Sequence, residues 1–306
     1  MHYGIDVGGT KIELAVFDPQ WQRLATWREA TPAADGPALL ARLAAMVAVA
    51  DARFGARGTL GLGLPGVIDA RGCLVAANLP GLRELPLAAS LQARFDRPIV
   101  FDNDSRCFIL SEVGPGGAAA GERHAFGAIL GTGAGGGAVV EGRLLGGCGG
   151  LAGEWGHLPL SAAASERYHL PRLACGCGLH GCLERYIAGP GLVELFRHFG
   201  GEAQRAETWY AAWRAGDPAA ELAHRCHVDL LGEALANVTK LLAPAAIVIG
   251  GGLSTLPELV AALPAALGRH LFPGVVVPRV VASHLGAASG VRGAAMRGAG
   301  FLPDAV

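Results

Sequence analysis

Apolar residues recur at two spacings along the first third of the chain, and the spacing separates strands from helices. The first two apolar segments predict a β-hairpin that turns at Gly8-Gly9-Thr10, and a third strand continues it. A longer segment then has apolar residues at helical spacing, and two short apolar runs follow that are typical of buried strands. We predict strands at 2–7, 11–18, 22–29, 60–64 and 98–102, and helices at 36–55 and 103–113.

The second part of the chain repeats this order. It follows the glycine- and alanine-rich segment 114–121, which by its composition predicts a flexible hinge or domain boundary. Strands then flank a second glycine-rich turn about 120 residues after the first, which indicates a duplicated architecture rather than a solenoid of short repeats. Strands and helices alternate, so the fold class is α/β. Strands are predicted at 125–130, 137–140, 246–249 and 278–283, and helices near 191–199, 206–215, 218–242, 257–270 and 287–300.

Composition limits the function classes. The 306 residues are 51% hydrophobic and carry a formal charge of -1, enough for one large domain or two modest ones. The balanced charge argues against nucleic acid or an anionic membrane as a partner. No secretory signal opens the sequence and no apolar run reaches the roughly 18 residues of a membrane span. Seven cysteines then predict a cytoplasmic protein with thiols available to a metal.

Three closely spaced cysteines and one histidine carry the most specific chemical signal. Cys175, Cys177 and Cys182 follow the spacing C-x-C-x4-C, and His157 precedes them in the chain. Three thiols and one imidazole are the ligand set of a closed, tetrahedral structural zinc site. His180 is an alternative fourth ligand. Buried free cysteines, or one disulfide and an odd thiol, are the alternatives without a metal.

Two glycine-rich turns, at 8–10 and 131–137, are candidate phosphate loops, because glycine lets backbone N–H groups approach an anion closely. A third turn, at 250–252, could place backbone close to a nucleoside. In the first, Thr10 adds a hydroxyl donor and Asp6 would hold a magnesium ion or its waters. The spacing is not that of a Walker A loop. Plain tight turns are the alternative for each. The candidate ATP-binding residues are Asp6, Gly8, Gly9, Thr10, Lys11, Gly131, Thr132, Gly133, Gly135, Gly136, Gly250, Gly251 and Gly252.

Carboxylates and an amide follow the strand at 98–102. Asp104 is the candidate general base, since phosphoryl transfer needs a carboxylate within reach of the attacking hydroxyl. Asn103 can donate and accept, which suits a sugar diol. The alternative is that Asp102 or Asp104 only caps the following helix. Glu154 and Glu184 flank the proposed zinc ligands and could bind sugar hydroxyls, or they could be ordinary surface acids.

Taken together, these motifs resemble one family. The order D-x-G-G-T-K, N-D, G-T-G-x-G-G-G, E-x-G-H and C-x-C-G-x-x-G-C-x-E is similar to that of the ROK family of bacterial sugar kinases and repressors. The resemblance implies a two-domain actin-like ATPase fold (the sugar kinase/Hsp70/actin fold), with ATP, Mg²⁺ and the sugar in an interdomain cleft. It implies Asp104 as catalytic base and a structural Zn²⁺ on His157, Cys175, Cys177 and Cys182. The implied sugar-binding residues are Asn103, Asp104, Glu154, His157 and Glu184. Gly66 and the turn that begins at Asn78 are further substrate-binding candidates, because they could leave room for an N-acetyl group.

Within the family, the cysteine stretch and residues 76–80 look most like the N-acetylglucosamine kinases. Trp155 and residues 289–295 look more like the bacterial fructokinases. We therefore expect phosphorylation of the 6-hydroxyl of N-acetylglucosamine by ATP. A fructokinase, a glucokinase, an N-acetylmannosamine kinase and a non-catalytic sugar sensor are the alternatives. No helix-turn-helix precedes Gly4, which favours a kinase over a repressor.

The resemblance also implies a division of the chain. We expect a small α/β domain at 1–116, completed by the C-terminal helix at about 287–306, and a large α/β domain with the zinc site at 117–286. Neither nucleic acid nor a membrane is expected as a partner, and a homodimer is left open. The family's usual acids are missing before the strand at 246–249 and after Gly286, which concerns details of ATP binding.

Overall fold

The structure is a computed structural model and describes residues 1–301. The strands are β1 His2–Val7, β2 Lys11–Phe17, β3 Arg23–Ala30, β4 Thr59–Leu64, β5 Val67–Ile68, β6 Leu74–Val75, β7 Ile99–Asn103, β8 Ala125–Leu130, β9 Ala134–Val140, β10 Arg143–Leu144, β11 Ala246–Gly250 and β12 Arg279–Ala282. The α-helices are α1 Gly36–Phe54, α2 Leu87–Arg94, α3 Asp104–Val113, α4 Ala162–Tyr168, α5 Glu184–Ile187, α6 Gly189–His198, α7 Ala206–Arg214, α8 Pro218–Leu242, α9 Pro257–Gly268 and α10 Ser289–Gly298. Every long element predicted from the sequence is present.

The chain divides into two compact units. Unit 1 holds Met1–Arg123, Gly137–Gly153 and the chain from His284 onwards, and unit 2 holds His124–Gly136 and Glu154–Ser283. The domain bounds predicted from the sequence stay a prediction, and residues 302–306 of the predicted C-terminal helix lie outside the described residues.

The two five-stranded sheets have the same strand order. The first runs β3-β2-β1-β4-β7 and the second β10-β9-β8-β11-β12. In the first sheet β1 and β2 are antiparallel, whereas β4 lies parallel to β1 and β7 parallel to β4. In the second, β11 lies parallel to both β8 and β12. The shared order confirms the duplicated α/β architecture predicted from the two glycine-rich turns.

Helix α1 shows how local sequence sets an element of unit 1. Asp35 caps its first turn by accepting a hydrogen bond of 2.9 Å from the Ala38 backbone N–H. Gly55 ends the helix in the left-handed conformation, with φ of 59°. Between these signals, Leu39 and Leu43 lie on one face and are buried in the core with the residues of β1 and β2.

Helix α10 lies directly against the backbone of its neighbours, and glycines make this contact possible. A Cβ on Gly293 would lie 1.6 Å from the Cys107 carbonyl oxygen of α3. A Cβ on Gly4 of β1 would lie 1.9 Å from the Val291 carbonyl oxygen. No side chain fits at either distance, so these two glycines fix where α3 and β1 meet α10.

The segment 114–121, which by its composition predicts a flexible hinge or domain boundary, makes defined hydrogen bonds within unit 1, whose first stretch ends at Arg123. The Glu112 carboxylate accepts a hydrogen bond of 2.9 Å from the Ala118 N–H, and Arg292 donates one of 2.6 Å to the Pro115 carbonyl. Ala118 and Ala119 are buried. Composition alone did not show these partners, because Arg292 is distant in sequence. Among residues 1–301, no helix is both long and apolar enough to cross a membrane.

Candidate active site

The carboxyl ends of three parallel strands of unit 1 meet at one sheet edge. In register, Asp6 of β1 lies beside Gly63 of β4, and Gly63 lies beside Asp102 of β7. The loop after β4 contains Gly66, and α3 begins with Asp104 directly after β7. The fold therefore brings these predicted site residues to the sheet edge at which ligands bind in open α/β folds.

Asn103 is the N-cap of α3. Its Oδ1 accepts a hydrogen bond of 2.9 Å from the Ser105 N–H, and its Nδ2 donates one of 3.1 Å to the Gly66 carbonyl. Asp104 is the first helical residue, and its Oδ1 accepts from the Ser105 N–H and hydroxyl at 2.7 and 3.2 Å. The capping alternative for this segment thus falls to Asn103, which also fastens Gly66 to the start of α3.

Asp6 is a buried carboxylate close to other negative groups. Burial first, and then the charges of Asp104 and Glu13, together raise its pKa to about 7, against a smaller opposing effect of Lys11. A carboxylate in this position binds a cation readily, because a cation removes both the desolvation cost and the repulsion from Asp104.

The first glycine turn is closed by its own backbone. The Gly8 N–H donates to the Lys11 carbonyl at 2.9 Å, and the Thr31 hydroxyl donates to the Gly8 carbonyl at 2.7 Å. A Cβ on Gly9 would lie 2.8 Å from the Asn78 Cβ, so Asn78 packs directly on this turn. Thr10 and Lys11 are exposed.

A cavity of about 260 Å³ opens in unit 1 beside Asn103. Of the predicted sugar-binding residues, Gly66 and Asn103 line it, and Asn78 is not among its lining residues. The sequence reasoning missed its other polar walls: Asp102, Arg106, Arg297 and the loop 146–150. The run Gly146-Gly147-Cys148-Gly149-Gly150 was the available signal, because so many glycines allow a loop to approach a ligand closely.

Two arginines share the carboxylate of Asp102. The Nε of Arg106 contacts its Oδ1, and the Nε of Arg297 donates to its Oδ2 at 2.8 Å. Arg106 also donates 2.6 Å to the Gly150 carbonyl, which fastens the glycine loop to α3. Asp102 is therefore an ion-pair residue that orders the cavity wall.

The second and third glycine turns lie side by side in unit 2. They follow β8 and β11, which are parallel neighbours paired from Ala246–Ala125 to Gly250–Ile129. Gly251 has φ of 79°, and a Cβ there would lie 2.4 Å from the Leu130 carbonyl oxygen. Only glycine fits this position, which brings the turn at 250–252 against the end of β8.

The predicted zinc ligands converge in unit 2. One ligand atom each from His157, Cys175, Cys177 and Cys182 lies within 4.8 Å of all the others. The Cys177 and Cys182 sulfurs are 3.6 Å apart, and His157 Nδ1 is 3.7 Å from the Cys175 sulfur. Sulfurs about 2.3 Å from one tetrahedral zinc would have this separation, so the residues fit the ion. His180 does not belong to the cluster, and it is exposed.

The thiols need a cation if all three are to ionise. Burial raises the pKa of Cys182 to about 12, and the neighbouring Cys177 and Cys175 raise it as well. The cysteines of the cluster form no disulfide. On the far side of the imidazole, His157 Nε2 lies 3.7 Å from a Glu154 oxygen. A carboxylate behind a metal-binding histidine orients the ring and raises its basicity.

Glu184 connects the cysteine cluster to the second glycine turn. Its Oε2 accepts a hydrogen bond of 3.0 Å from the Ala134 N–H, and its Oε1 lies 3.5 Å from the Cys175 sulfur. Trp155 is buried, donates 2.8 Å to the Gly135 carbonyl and packs edge-on against Phe126. The E-W-G-H segment therefore buttresses the turn, and Trp155 is a core residue of unit 2.

Comparison with known proteins agrees with these motifs. The sequence model of the ROK family matches residues 2–297. The N-acetylgalactosamine kinase AgaK of Shewanella sp. (strain ANA-3) is 44% identical over 301 residues, which are 98% of this chain and 97% of that protein. The N-acetyl-D-glucosamine kinase of Escherichia coli O9:H4 (strain HS) is 40% identical over 302 residues, covering 96% and 98%.

Solved structures are similar over the same length. The crystal structure of the ROK hexokinase from Thermus thermophilus has a TM-score of 0.84 at 34% identity and covers 96% of both chains. That of a ROK family glucokinase from Streptomyces griseus, in complex with glucose and AMPPNP, has a TM-score of 0.79 at 29% identity, covering 98% of this chain and 99% of that one.

Proposed function

Because this chain belongs to the ROK family, we propose that it is an ATP-dependent kinase that phosphorylates the 6-hydroxyl of N-acetylglucosamine. The observation that carries the proposal is the sheet edge of unit 1. There Asp104 begins α3 directly after Asn103, which lines a cavity together with Gly66, and the charge of Asp104 acts on the buried carboxylate Asp6. The high identity to kinases named for N-acetylated amino sugars supports the choice of substrate.

Asp104 is the general base in this mechanism. Its carboxylate accepts the proton of the sugar 6-hydroxyl while the oxygen attacks the γ-phosphorus, and the bond to the β-phosphate oxygen breaks. Ser105 holds Oδ1 of Asp104, which fixes the orientation of the carboxylate. Mg²⁺, when bound with ATP, would be held through Asp6 and would neutralise phosphate charge. The glycine turns at 8–10, 131–136 and 250–252 would offer backbone N–H groups to the nucleotide.

The zinc proposal concerns structure rather than catalysis. We propose that His157, Cys175, Cys177 and Cys182 hold one Zn²⁺, since one ligand atom of each lies within 4.8 Å of all the others and three thiols with one imidazole suit this ion. The ion would fix Glu154 and Glu184, through His157 and Cys175 respectively, so that both carboxylates can bind sugar hydroxyls. We also propose that the protein is cytoplasmic, because it uses ATP as a substrate and its thiols must stay reduced to bind a metal. A homodimer is proposed as well.

A coupled kinase assay with ATP and a panel of sugars tests the function. We expect kcat/KM for N-acetylglucosamine to exceed that for fructose by more than ~10-fold, which is about 1.4 kcal/mol of transition-state binding. Glucose and N-acetylmannosamine belong to the same panel. Equal or faster turnover of fructose would contradict the assignment of N-acetylglucosamine as the substrate. If no sugar in the panel were phosphorylated, the assignment as a kinase would be contradicted.

N-Acetylgalactosamine is the second candidate substrate. It differs from N-acetylglucosamine only in the configuration at C4, and the relative at 44% identity is named for it. The same panel decides between the two amino sugars by the ratio of their kcat/KM values.

Asp104→Asn tests the assigned base. The amide keeps the size of the side chain but cannot take the proton, so kcat should fall at least ~10²-fold while sugar affinity changes by less than ~10-fold. The matched control is Asp96→Asn, because Asp96 is an exposed acid whose ion-pair partner is Arg57. A kcat close to the wild-type value for Asp104→Asn would show that Asp104 is not the general base and has only a structural role.

A further inference from the structure

The cavity beside Asn103 has one apolar and one polar wall. Leu64, Val67, Ile68 and Phe101 line the first. Arg106, the Asp102 carboxylate and the glycine loop 146–150 line the second. A pocket for hydroxyl groups alone would leave the apolar wall without a partner. The volume of about 260 Å³ lies just below the range of about 300–1,000 Å³ that is usual for small-molecule sites, so it suits a sugar substituent with part of its ring.

Arg106 has one nitrogen to spare at this cavity. Its Nε contacts Asp102 and its Nη1 donates to the Gly150 carbonyl. Nη2 has no hydrogen-bond partner among residues 1–301, and it is not one of the buried orphan atoms. The side chain itself is only 9% exposed, so the guanidinium is fixed by its ion pair before any ligand arrives. A fixed donor beside an apolar wall matches a carbonyl oxygen that is bonded to a methyl group.

Resting on the proposed function, we infer that this cavity receives the acetamido group at C2 of the amino sugar. The acetamido oxygen accepts a hydrogen bond from Nη2 of Arg106, and the methyl group packs against Ile68 and its apolar neighbours. The free ammonium group of glucosamine is disfavoured here, because it faces a guanidinium and cannot accept a hydrogen bond. The cavity therefore selects N-acylated over unsubstituted sugars.

Filling the apolar wall tests the inference. Ile68→Phe should lower kcat/KM for N-acetylglucosamine at least ~10-fold while changing that for glucose less than ~3-fold, because only the acylated sugar needs the space. Val75→Phe is the matched control: Val75 lies on the strand paired with β5, is 48% exposed and does not line the cavity. It should leave both sugars unchanged. Melting curves of both variants check that the fold is intact.

Enlarging the wall gives a gain of function that misfolding cannot imitate. Ile68→Ala should raise kcat/KM for N-butyrylglucosamine relative to N-acetylglucosamine by ~10-fold or more, since the longer acyl chain fills the space left by the isoleucine side chain. This comparison does not require glucose to be a substrate.

The outcomes separate the inference from the function on which it rests. Equal losses for N-acetylglucosamine and glucose in Ile68→Phe, or an unchanged acyl-chain preference in Ile68→Ala, would overturn the acetamido site while the kinase stands. A wild-type protein that prefers glucose or glucosamine would overturn it as well. Absence of phosphorylation of any sugar would remove the function and the site together.

Discussion

At the scale of single residues, the ionised form of Asp6 lowers the stability of the protein, whereas binding of a cation requires that form. Its pKa is raised to about 7 by burial first and by Asp104 and Glu13 next. Between its ordinary value of 3.8 and about 7, the folded state keeps a proton that the unfolded state has lost. Stability contributed by this group is therefore lost as the pH rises through that window.

Asp6→Asn should stabilise the protein in the absence of nucleotide and magnesium at neutral and higher pH. The amide cannot ionise, so at pH 8 the free energy of unfolding should exceed that of the wild type by up to roughly 4 kcal/mol, and the difference should shrink toward pH 4. Urea unfolding at several pH values measures it. Phosphoryl transfer should be lost in the same variant. A wild-type protein as stable as Asp6→Asn at pH 8 would show that Asp6 carries its charge there without cost.

At the scale of elements, the cysteine loop at 175–182 and the turn at 131–136 depend on each other. Glu184 contacts both the Cys175 sulfur and the Ala134 N–H, so a disordered loop would also release the turn. A bound zinc would contribute its binding energy to folding of this part of unit 2.

Zinc loss should therefore affect stability and activity together. Protein purified without added metal should contain about one zinc per chain by elemental analysis, and Cys177→Ser should lose it, melt at lower temperature and turn over sugar more slowly. Cys148→Ser is the control for zinc content and melting temperature, because Cys148 is exposed and lies outside the ligand cluster. Purified wild-type protein that contains no metal and has free thiols at all three cysteines would refute the zinc assignment.

At the scale of the whole molecule, acid stability should be set in part by His227 in the core of unit 2. Burial lowers its pKa to about 4, and its Nε2 lies 2.9 Å from the Ile187 carbonyl oxygen. The neutral ring donates there, while in the unfolded chain the histidine takes up a proton below its ordinary value of 6.5. Stability from this group is complete above that value and falls as the pH drops toward 4.

His227→Gln should remove this acid sensitivity, because an amide N–H can donate to Ile187 without titrating. Wild-type protein should lose up to roughly 3 kcal/mol more than the variant between pH 7 and pH 4. Denaturant unfolding of both proteins across this range gives the comparison. If the two stability curves ran parallel, His227 would take up its proton at the same pH in the folded and the unfolded protein, and the prediction would be wrong.

The sequence by itself determined the elements, the fold class and the four residues of the cysteine–histidine cluster. Apolar spacing is a local property, and the cysteine motif brings three of its four ligands together within one short loop. It could also nominate Asp6, Asn103 and Asp104, because each directly follows or ends a buried strand. Short elements such as α2 and the β5–β6 hairpin escaped prediction, since they carry too few residues for a periodic signal.

Only the tertiary structure decided which residues surround the site. The sequence left the cap of α3 open between Asp102 and Asp104, whereas the structure makes Asn103 the cap. The contact of Asn78 with Gly9 also appears only in the folded chain. The cavity walls are assembled from α3, β4, β5, the loop 146–150 and Arg297, which are far apart in the chain. Sequence spacing cannot measure such approaches, because a contact between distant segments depends on how the sheet and helices pack and not on any local pattern.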